Sequence, residues 1–399
     1  MTRASIVLAG LGGYGSGYAE RLLAGATPAV PVAGIEPDSE NVPAAAEFAE
    51  RGIPVFPDFD AFLASGIKAD AVVVSTPIHT HAEIAVAALD SGMDVFCEKP
   101  LAGCASDVAA MALAEKRSGR RVAVGFQWSH EPCVIRMAGD IADGRFGSPK
   151  RLKTIALHPR SACYYSGRPW RGAIRSSDGR SINESPLSNA LAHYLHHMLY
   201  ILGGRGDSAA NVSEVLSEVY RAKAIENFDT CAVRCLTDSG TEVLFIASLS
   251  TKGYRGPVCE FEFDKATVFF DYDDAPERFL VRFDDGSEET YGPLEHDSAR
   301  KLDMFLEALE SGAPFSCGLR AATPHVQCVE AVRRESEEIP DFPTEISRIG
   351  VDPWDGGELT YIEGLDTILF DCYERWALPS ELGGLEWAAE TRKWGPPCL

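Results

Sequence analysis

Over the first 125 or so residues, short apolar runs alternate with stretches in which alanine and leucine recur at helical spacing. The runs are Ser5–Ala9, Val30–Ile35, Ala71–Ser75, Asp94–Cys97 and Arg121–Phe126, and the stretches between them include Gly17–Ala24, Ala44–Arg51 and Ala82–Ser91. Near-continuous apolar strands, each followed by a helix, predict a parallel sheet with helices covering its faces. After Gly147 the period changes to two. Cys259, Phe261 and Phe263, then Val268, Phe270 and Tyr272, then Phe279, Val281 and Phe283 each fall on one side of an extended chain. Turn signals at Asp238–Ser239–Gly240 and Asp284–Asp285–Gly286 separate such runs. From about Ser148 to Tyr291 the sequence therefore predicts a large, mostly antiparallel open sheet, interrupted by one helical stretch around Leu187–Leu202. From about Asp297 helical spacing returns, including an amphipathic stretch from Tyr361 to Trp376. Two domains follow: an α/β domain over residues 1–128, and an α+β domain over residues 129–399 with a helical C-terminal extension from about 345.

Composition narrows the class without changing this picture. The 399 residues carry 45% hydrophobic and 24% charged side chains, and the mean hydropathy is −0.08, values of an ordinary soluble globular chain. Lys plus Arg number 37 against 59 Asp plus Glu, a formal charge of −22. So acidic a surface repels phosphate backbones and anionic lipid, which argues against nucleic acid and membrane as partners. The first apolar run ends in glycines with no cleavage-site pattern, so it reads as a strand and not as a signal peptide. Eleven cysteines, scattered from Cys97 to Cys398 with no CxxC pair, predict reduced, mostly buried thiols and a cytoplasmic location. Cys231 and Cys235 read as packed strand side chains.

Candidate chemistry begins at Gly10–Leu11–Gly12–Gly13–Tyr14–Gly15, a GxGxxG between an apolar strand and a helix whose inner face carries Ala19, Leu22 and Leu23. Gly10 permits the tight turn, Gly12 lets the backbone approach a pyrophosphate, and Gly15 lets helix and strand pack closely. Gly13 and Tyr14 complete the loop, and the helix N-terminus faces the phosphate charge. Glu36 ends the next strand, where its carboxylate accepts hydrogen bonds from ribose hydroxyls and opposes a 2′-phosphate. No arginine follows it in Pro37–Asp38–Ser39–Glu40. The predicted cofactor is NAD, with NADP disfavoured, on a Rossmann domain.

Two further segments carry a resemblance. Ser75–Thr76–Pro77 leads into Ile78–His79–Thr80–His81–Ala82–Glu83, and Ala87–Ala88–Leu89–Asp90–Ser91–Gly92–Met93–Asp94–Val95 runs into Glu98–Lys99–Pro100. The order of glycine loop, strand-end TP, AL-x-x-G-x-x-V and EKP resembles the Gfo/Idh/MocA family of oxidoreductases, specifically over residues 1–130 and more weakly beyond. The resemblance implies that Ser75, Thr76, His79, His81, Glu98, Lys99 and Gln127 surround the cofactor, with Lys99 beside nicotinamide and substrate, behind a cis Lys–Pro bond. It also implies oligomers, a dimer or tetramer, formed through the open face of the second sheet. Phe261, Phe263 and Phe270 fit either that face or the core under the helix.

In the second domain the family pattern Asp-x-Gly-x-His-x-x-Asp meets Asn189–Ala190–Leu191–Ala192–His193–Tyr194–Leu195–His196. His193 matches the family's catalytic histidine; Asn189 stands in place of the aspartate and can orient a donor but carries no charge. His193 is then the general base, Lys99 the stabiliser of alkoxide charge, and Asn189 their helper. His193, His196 and His197 lack an intervening Glu and a third ligand, so no metal is expected. Trp128 follows the amide position Gln127, and Arg160, Tyr164, Tyr165, Arg168 and Trp170, with His196, form a candidate substrate set. Interleaved arginines and aromatics suit stacking on sugar rings and hydrogen bonds to many hydroxyls. The expected activity is hydride transfer between nicotinamide and a secondary hydroxyl or ketone of a sugar, cyclitol or glycoside. A redox-neutral NAD-dependent glycosidase or lyase, and a non-catalytic NAD or sugar sensor, stand as alternatives.

Overall fold

The computed structural model describes residues 3–25, 27–335 and 338–395. They divide into two compact units, one holding the residues through His130 together with His296–Thr323, the other Glu131–Glu295 and the residues from Pro324 onward. The chain thus does not divide at a single point near 128. A later segment returns to the first unit.

In the first unit six parallel strands, β1 (Ala4–Ala9), β2 (Ala29–Ile35), β3 (Val55–Phe56), β4 (Ala71–Val74), β5 (Asp94–Cys97) and β6 (Val122–Val124), lie in the order β3-β2-β1-β4-β5-β6. The order reverses between β1 and β4, which opens a crevice at the carboxyl ends of these strands, the place where such sheets take ligands. Central strands β4 and β5 are buried at every position, as a sheet covered on both faces demands. Helix α1 (Gly15–Leu23) buries Tyr18, Ala19, Leu22 and Leu23. The returning segment contributes a helix at Arg300–Ser311 whose Leu302, Phe305 and Leu306 join Ile6, Leu8, Phe48 and Phe96 in one core.

In the second unit nine strands form a sheet in which Pro149–Leu157 and Glu242–Ser248 run parallel and the other pairs assigned a register run antiparallel. Both turn signals sit in hairpins, 238–240 between Thr230–Thr237 and Glu242–Ser248, and 284–286 between Phe279–Phe283 and Glu288–Tyr291. One face packs under the helix Ala192–Leu202. There Phe261, Phe263 and Phe270 are buried, and the His197 ring lies 5.8 Å from Phe261 and 5.4 Å from Phe279. These phenylalanines are core. On the opposite face the chain's own helix Leu365–Arg375 covers Ile155, Leu157, Leu244 and Ile246 with Leu365, Leu369 and Tyr373.

Two local expectations are corrected. The segment from about 345 is not helical throughout, because Ser347–Val351 and Glu358–Ile362 pair first as an antiparallel hairpin closed by Asp352–Gly357. The helical stretch expected from Leu187 is also broken. Pro186–Ala190 forms a wide π-type turn, and Leu191 at φ −125° separates it from the helix beginning at Ala192. Asn189 therefore lies on the turn and not on the helix that carries His193. Ser185 sets this geometry through a reciprocal cap with Ser188, its hydroxyl accepting from the Ser188 amide at 3.2 Å while the Ser188 hydroxyl accepts from the Ser185 amide at 2.9 Å. Among the described residues no helix is long and apolar enough to cross a membrane.

Candidate functional site

The glycine turn is built for backbone and nothing else. Gly10 has φ +86°, and a Cβ there would lie 2.5 Å from the Ser75 carbonyl oxygen; a Cβ on Gly15 would lie 1.9 Å from that of Gly10. Gly12, by contrast, meets only ordinary contacts, and around Gly13 (φ +56°) there is open space. The turn is tied to its sheet through Gly10 N to Ile35 O at 2.9 Å and Ser75 N to Ala9 O at 2.8 Å. Glu36, at the end of β2, accepts from the amides of Leu11 at 3.0 Å and Gly12 at 3.2 Å, so its carboxylate is held against the loop. Tyr14 is exposed, its ring 5.6 Å from that of Tyr18. A helix N-terminus, two glycines without room for a side chain and an adjacent carboxylate fit a dinucleotide.

Beside the loop, Thr76 accepts from the Thr80 hydroxyl at 2.7 Å, and His79 lies half-buried in the short turn Ile78–Thr80. His81 is buried, its ring nitrogens 2.8 Å from Thr76 O and 2.9 Å from Pro100 O. It thus ties the TP segment to the EKP segment from beneath. Burial lowers its pKa, against the pull of those carbonyls. The Lys99–Pro100 bond is cis. Lys99 is half-buried at the end of β5, as are the neighbouring Gln127 and, at the turn of the TP segment, Ser75; Trp128 is buried.

Glu98 is held by groups of the first unit itself. Its buried carboxylate accepts from the Tyr18 hydroxyl, from the Lys99 amide at 3.0 Å and from Lys301 at 2.6 Å. Burial by itself raises a carboxyl pKa, but the Lys301 ammonium, the Tyr18 hydroxyl and Lys99 together outweigh it, and Glu98 titrates below its ordinary range. Lys301, also donating to Gly125 O at 3.2 Å and lying 4.5 Å from the Tyr14 ring centroid, is correspondingly held charged. The group Tyr18–Glu98–Lys301 thus fixes the backbone entering Lys99. Sequence reasoning missed Lys301 altogether, and the only local signal for Tyr18 was its place on the inner face of α1.

In the second unit, the segment after the strand Pro149–Leu157 gathers most of the predicted substrate set. The Arg160 guanidinium lies 5.5 Å from the Tyr164 ring centroid, and Arg171 stacks on that ring at 3.7 Å and lies 5.3 Å from Trp170. Tyr164 and Tyr165 meet edge to face at 4.9 Å. The buried Tyr165 hydroxyl has no hydrogen-bond partner among the described residues. Burial first, then the nearby carboxylates of Asp229 and Glu184, keep it protonated. Arg168 is exposed; its amide donates to Tyr165 O at 3.3 Å and its carbonyl accepts from the Arg171 amide at 3.0 Å. His196, predicted at the substrate, is 1% exposed, with its ring 5.8 Å from Tyr200 and 6.4 Å from His325, the surroundings of packing. Asn189 donates to Glu184 at 3.0 Å, a carboxylate the sequence reading passed over. His193 lies in the first turn of the following helix, half-buried. Among the described residues no group of three or more His, Cys, Asp or Glu could hold a metal ion.

Residues 4–126 match the family described as an oxidoreductase family with an NAD-binding Rossmann fold, GFO_IDH_MocA. An inositol 2-dehydrogenase of Rubrobacter xylanophilus is 34% identical over 149 residues, which are 37% of this chain and 42% of that protein. The chain spans less than half the length of the first curated relatives it matches. Among solved structures, a levoglucosan dehydrogenase in complex with NADH aligns with TM-score 0.69 at 20% identity, over 83% of this chain and 96% of that one. The WlbA dehydrogenase of Bordetella pertussis, in complex with NADH and UDP-GlcNAcA, aligns with TM-score 0.67 at 21% identity, over 86% and 99%. At such identities these structures establish the fold of both units.

Proposed function

We propose that this chain, whose residues 4–126 match the Gfo/Idh/MocA oxidoreductase family, uses NAD to interconvert a secondary hydroxyl and a ketone on a sugar, cyclitol or glycoside. NAD, when bound, supplies the hydride acceptor or donor. The observation that carries the reading is the glycine turn, where neither Gly10 nor Gly15 has room for a Cβ and the Glu36 carboxylate faces the loop. The open backbone at Gly13 and the N-terminus of α1 receive the pyrophosphate, and Glu36, held by the Leu11 and Gly12 amides, receives the adenosine ribose hydroxyls in preference to a 2′-phosphate.

We assign His193 as the general base that takes the substrate hydroxyl proton on a ring nitrogen, since an imidazole titrates near neutral pH. Lys99 stabilises the developing alkoxide through its ammonium. Asn189 orients the donor. Support for a hydroxyl-rich substrate comes from the Arg160–Tyr164–Tyr165–Arg171 cluster and from the Tyr165 hydroxyl, whose missing partner a sugar hydroxyl would supply. A reducing, cytoplasmic setting suits the ten described cysteines, none of them in a disulfide and eight of them buried. For assembly we propose a dimer or tetramer formed on the part of the outer sheet face that helix Leu365–Arg375 leaves, around the half-buried Phe269 and Leu280; a monomeric mass by light scattering would remove it.

The test is incubation of the purified chain with NAD and a panel of sugars, cyclitols and glycosides, following both reduced-cofactor absorbance and product masses. Net NADH with a ketone product supports the dehydrogenase; sugar release without NADH indicates the redox-neutral lyase instead. Neither product would indicate a binding protein. His193→Ala should lower kcat by roughly 100-fold or more, and unchanged turnover at every pH overturns its assignment.

A further inference from the structure

Glu184 is 1% exposed, and its carboxylate is surrounded by donors. Oε1 accepts from the Tyr164 hydroxyl and from Asn189 Nδ2, both at 3.0 Å, and Oε2 accepts from the Gly172 amide at 2.5 Å. The backbone around it is fixed as firmly: Glu184 N donates to Ala173 O at 2.9 Å, and Asn227 Nδ2 donates to Glu184 O at 3.0 Å. Asn183, just before it, holds φ +52°, and its carbonyl accepts from the Ser188 hydroxyl at 2.6 Å. Glu184 and Asn189 are thus set by one braced turn, with Tyr164, Tyr165 and Arg171 as the charged and titratable neighbours of Glu184, and Arg160 and Asp229 next to those in turn.

An ionised carboxylate only accepts, whereas the two ends of a primary amide differ. Turning the Asn189 amide over would set its oxygen against a carboxylate oxygen, so the partner decides the orientation. With Nδ2 committed to Glu184, Oδ1 is presented elsewhere as an acceptor. An aspartate in this place would instead lie about 3 Å from a second buried carboxylate, where one of the pair must give up its charge.

We propose that Glu184 is a positioning residue for the reaction: it locks Asn189 with its oxygen outward as an acceptor for a donor N–H or O–H at the site, and supplies from one hydrogen bond behind the negative charge that Asn189 lacks. Asparagine at 189 and glutamate at 184 then form one unit, with the carboxylate one hydrogen bond from the amide. This rests on the assignment of Asn189 and His193 to the reacting site.

The test separates the two readings by not depending on turnover. In the full chain with selectively 13C-labelled histidine, the His193 imidazole is titrated in the wild type, in E184Q, in N189D and in the E184Q/N189D pair. Removing the charge at 184 should lower the His193 pKa by about half a unit or more, and returning one carboxylate at 189 should restore it. N189D alone should lower the melting temperature by roughly 3 °C or more at pH 8, with recovery in the double variant. Should E184Q fail to fold while E184Q/N189D folds, the exchange of carboxylates is supported. Both failing to fold, an N189D variant as stable as the wild type, or a His193 titration indifferent to E184Q overturns the proposal. Activity with myo-inositol and NAD as probe addresses the dehydrogenase reading alone, so its absence leaves these outcomes legible.

Discussion

The Lys301 ammonium lies 2.6 Å from the Glu98 carboxylate, and neither side chain has appreciable access to water. Tyr18 and the Lys99 amide complete the carboxylate's partners. A buried ion pair adds little net stability, but removing one member leaves a charge with nothing to offset its desolvation. Lys301→Met should therefore destabilise the first unit by about 3–5 kcal/mol, and adding Glu98→Gln should recover most of the loss. Denaturant unfolding of the two variants checks this. A Lys301→Met variant as stable as the wild type would show that Glu98 is neutral in the folded protein.

Glycines of the first helix and its entry turn should respond in opposite directions. Gly15→Ala would bring a methyl within 1.9 Å of the Gly10 carbonyl oxygen, which only displacement of the turn can relieve. Gly17→Ala, on the exposed side of the same helix, meets open space. Alanine there should add about 0.5–1 kcal/mol through backbone entropy and helix propensity. Titration calorimetry should find NAD affinity abolished by the first substitution and unchanged by the second. Equal affinity in both variants would mean that the turn does not carry the pyrophosphate.

Local signals made part of this legible in the sequence. The glycine turn, Glu36 and EKP each lie within one strand–turn–helix unit, where spacing alone fixes the relation of residues, and the structure has them so. The two-residue period of Cys259, Phe261 and Phe263 likewise gave the buried face of the second sheet. What stayed hidden depends on distant parts of the chain. Lys301 reaches Glu98 only because residues 296–323 return to the first unit, and no periodicity announces a return. Glu184 looked like one acidic residue among 59 in a loop; its three donors come from a helical turn, a glycine amide and the π-type turn. The break at Leu191 was missed because apolar spacing runs straight through it.

The pH dependence of stability should bear the mark of His197. Its ring is buried against Phe261 and Phe279, and burial holds its pKa down to about 3. The folded protein thus keeps this imidazole neutral where the unfolded chain, titrating near 6.5, takes up a proton. The contribution to stability is full above pH 6.5 and is lost as the pH falls toward 3. Between pH 7 and 5 it amounts to roughly 2 kcal/mol. His197→Phe keeps the aromatic contact and removes the titration, so its stability should fall less than the wild type's over that interval. Parallel slopes in denaturant melts at the two pH values would assign the acid sensitivity to other groups, among them His130, whose pKa burial lowers to about 4.

Tyr165 separates binding from stability. Its hydroxyl is buried without a hydrogen-bond partner among the described residues, and burial, with the carboxylates of Asp229 and Glu184, keeps it a donor. An unsatisfied buried hydroxyl costs about 1–3 kcal/mol, and replacing it by an apolar group of the same shape is neutral or stabilising. Tyr165→Phe should accordingly melt at the same temperature as the wild type or higher. If a substrate hydroxyl accepts from Tyr165, the same variant should raise KM for the sugar or cyclitol by roughly tenfold, the worth of about one such hydrogen bond. Melting and steady-state kinetics on one preparation check both halves. A lower melting temperature with KM unchanged would show that an ordered water, and not the substrate, completes the hydroxyl's bonding.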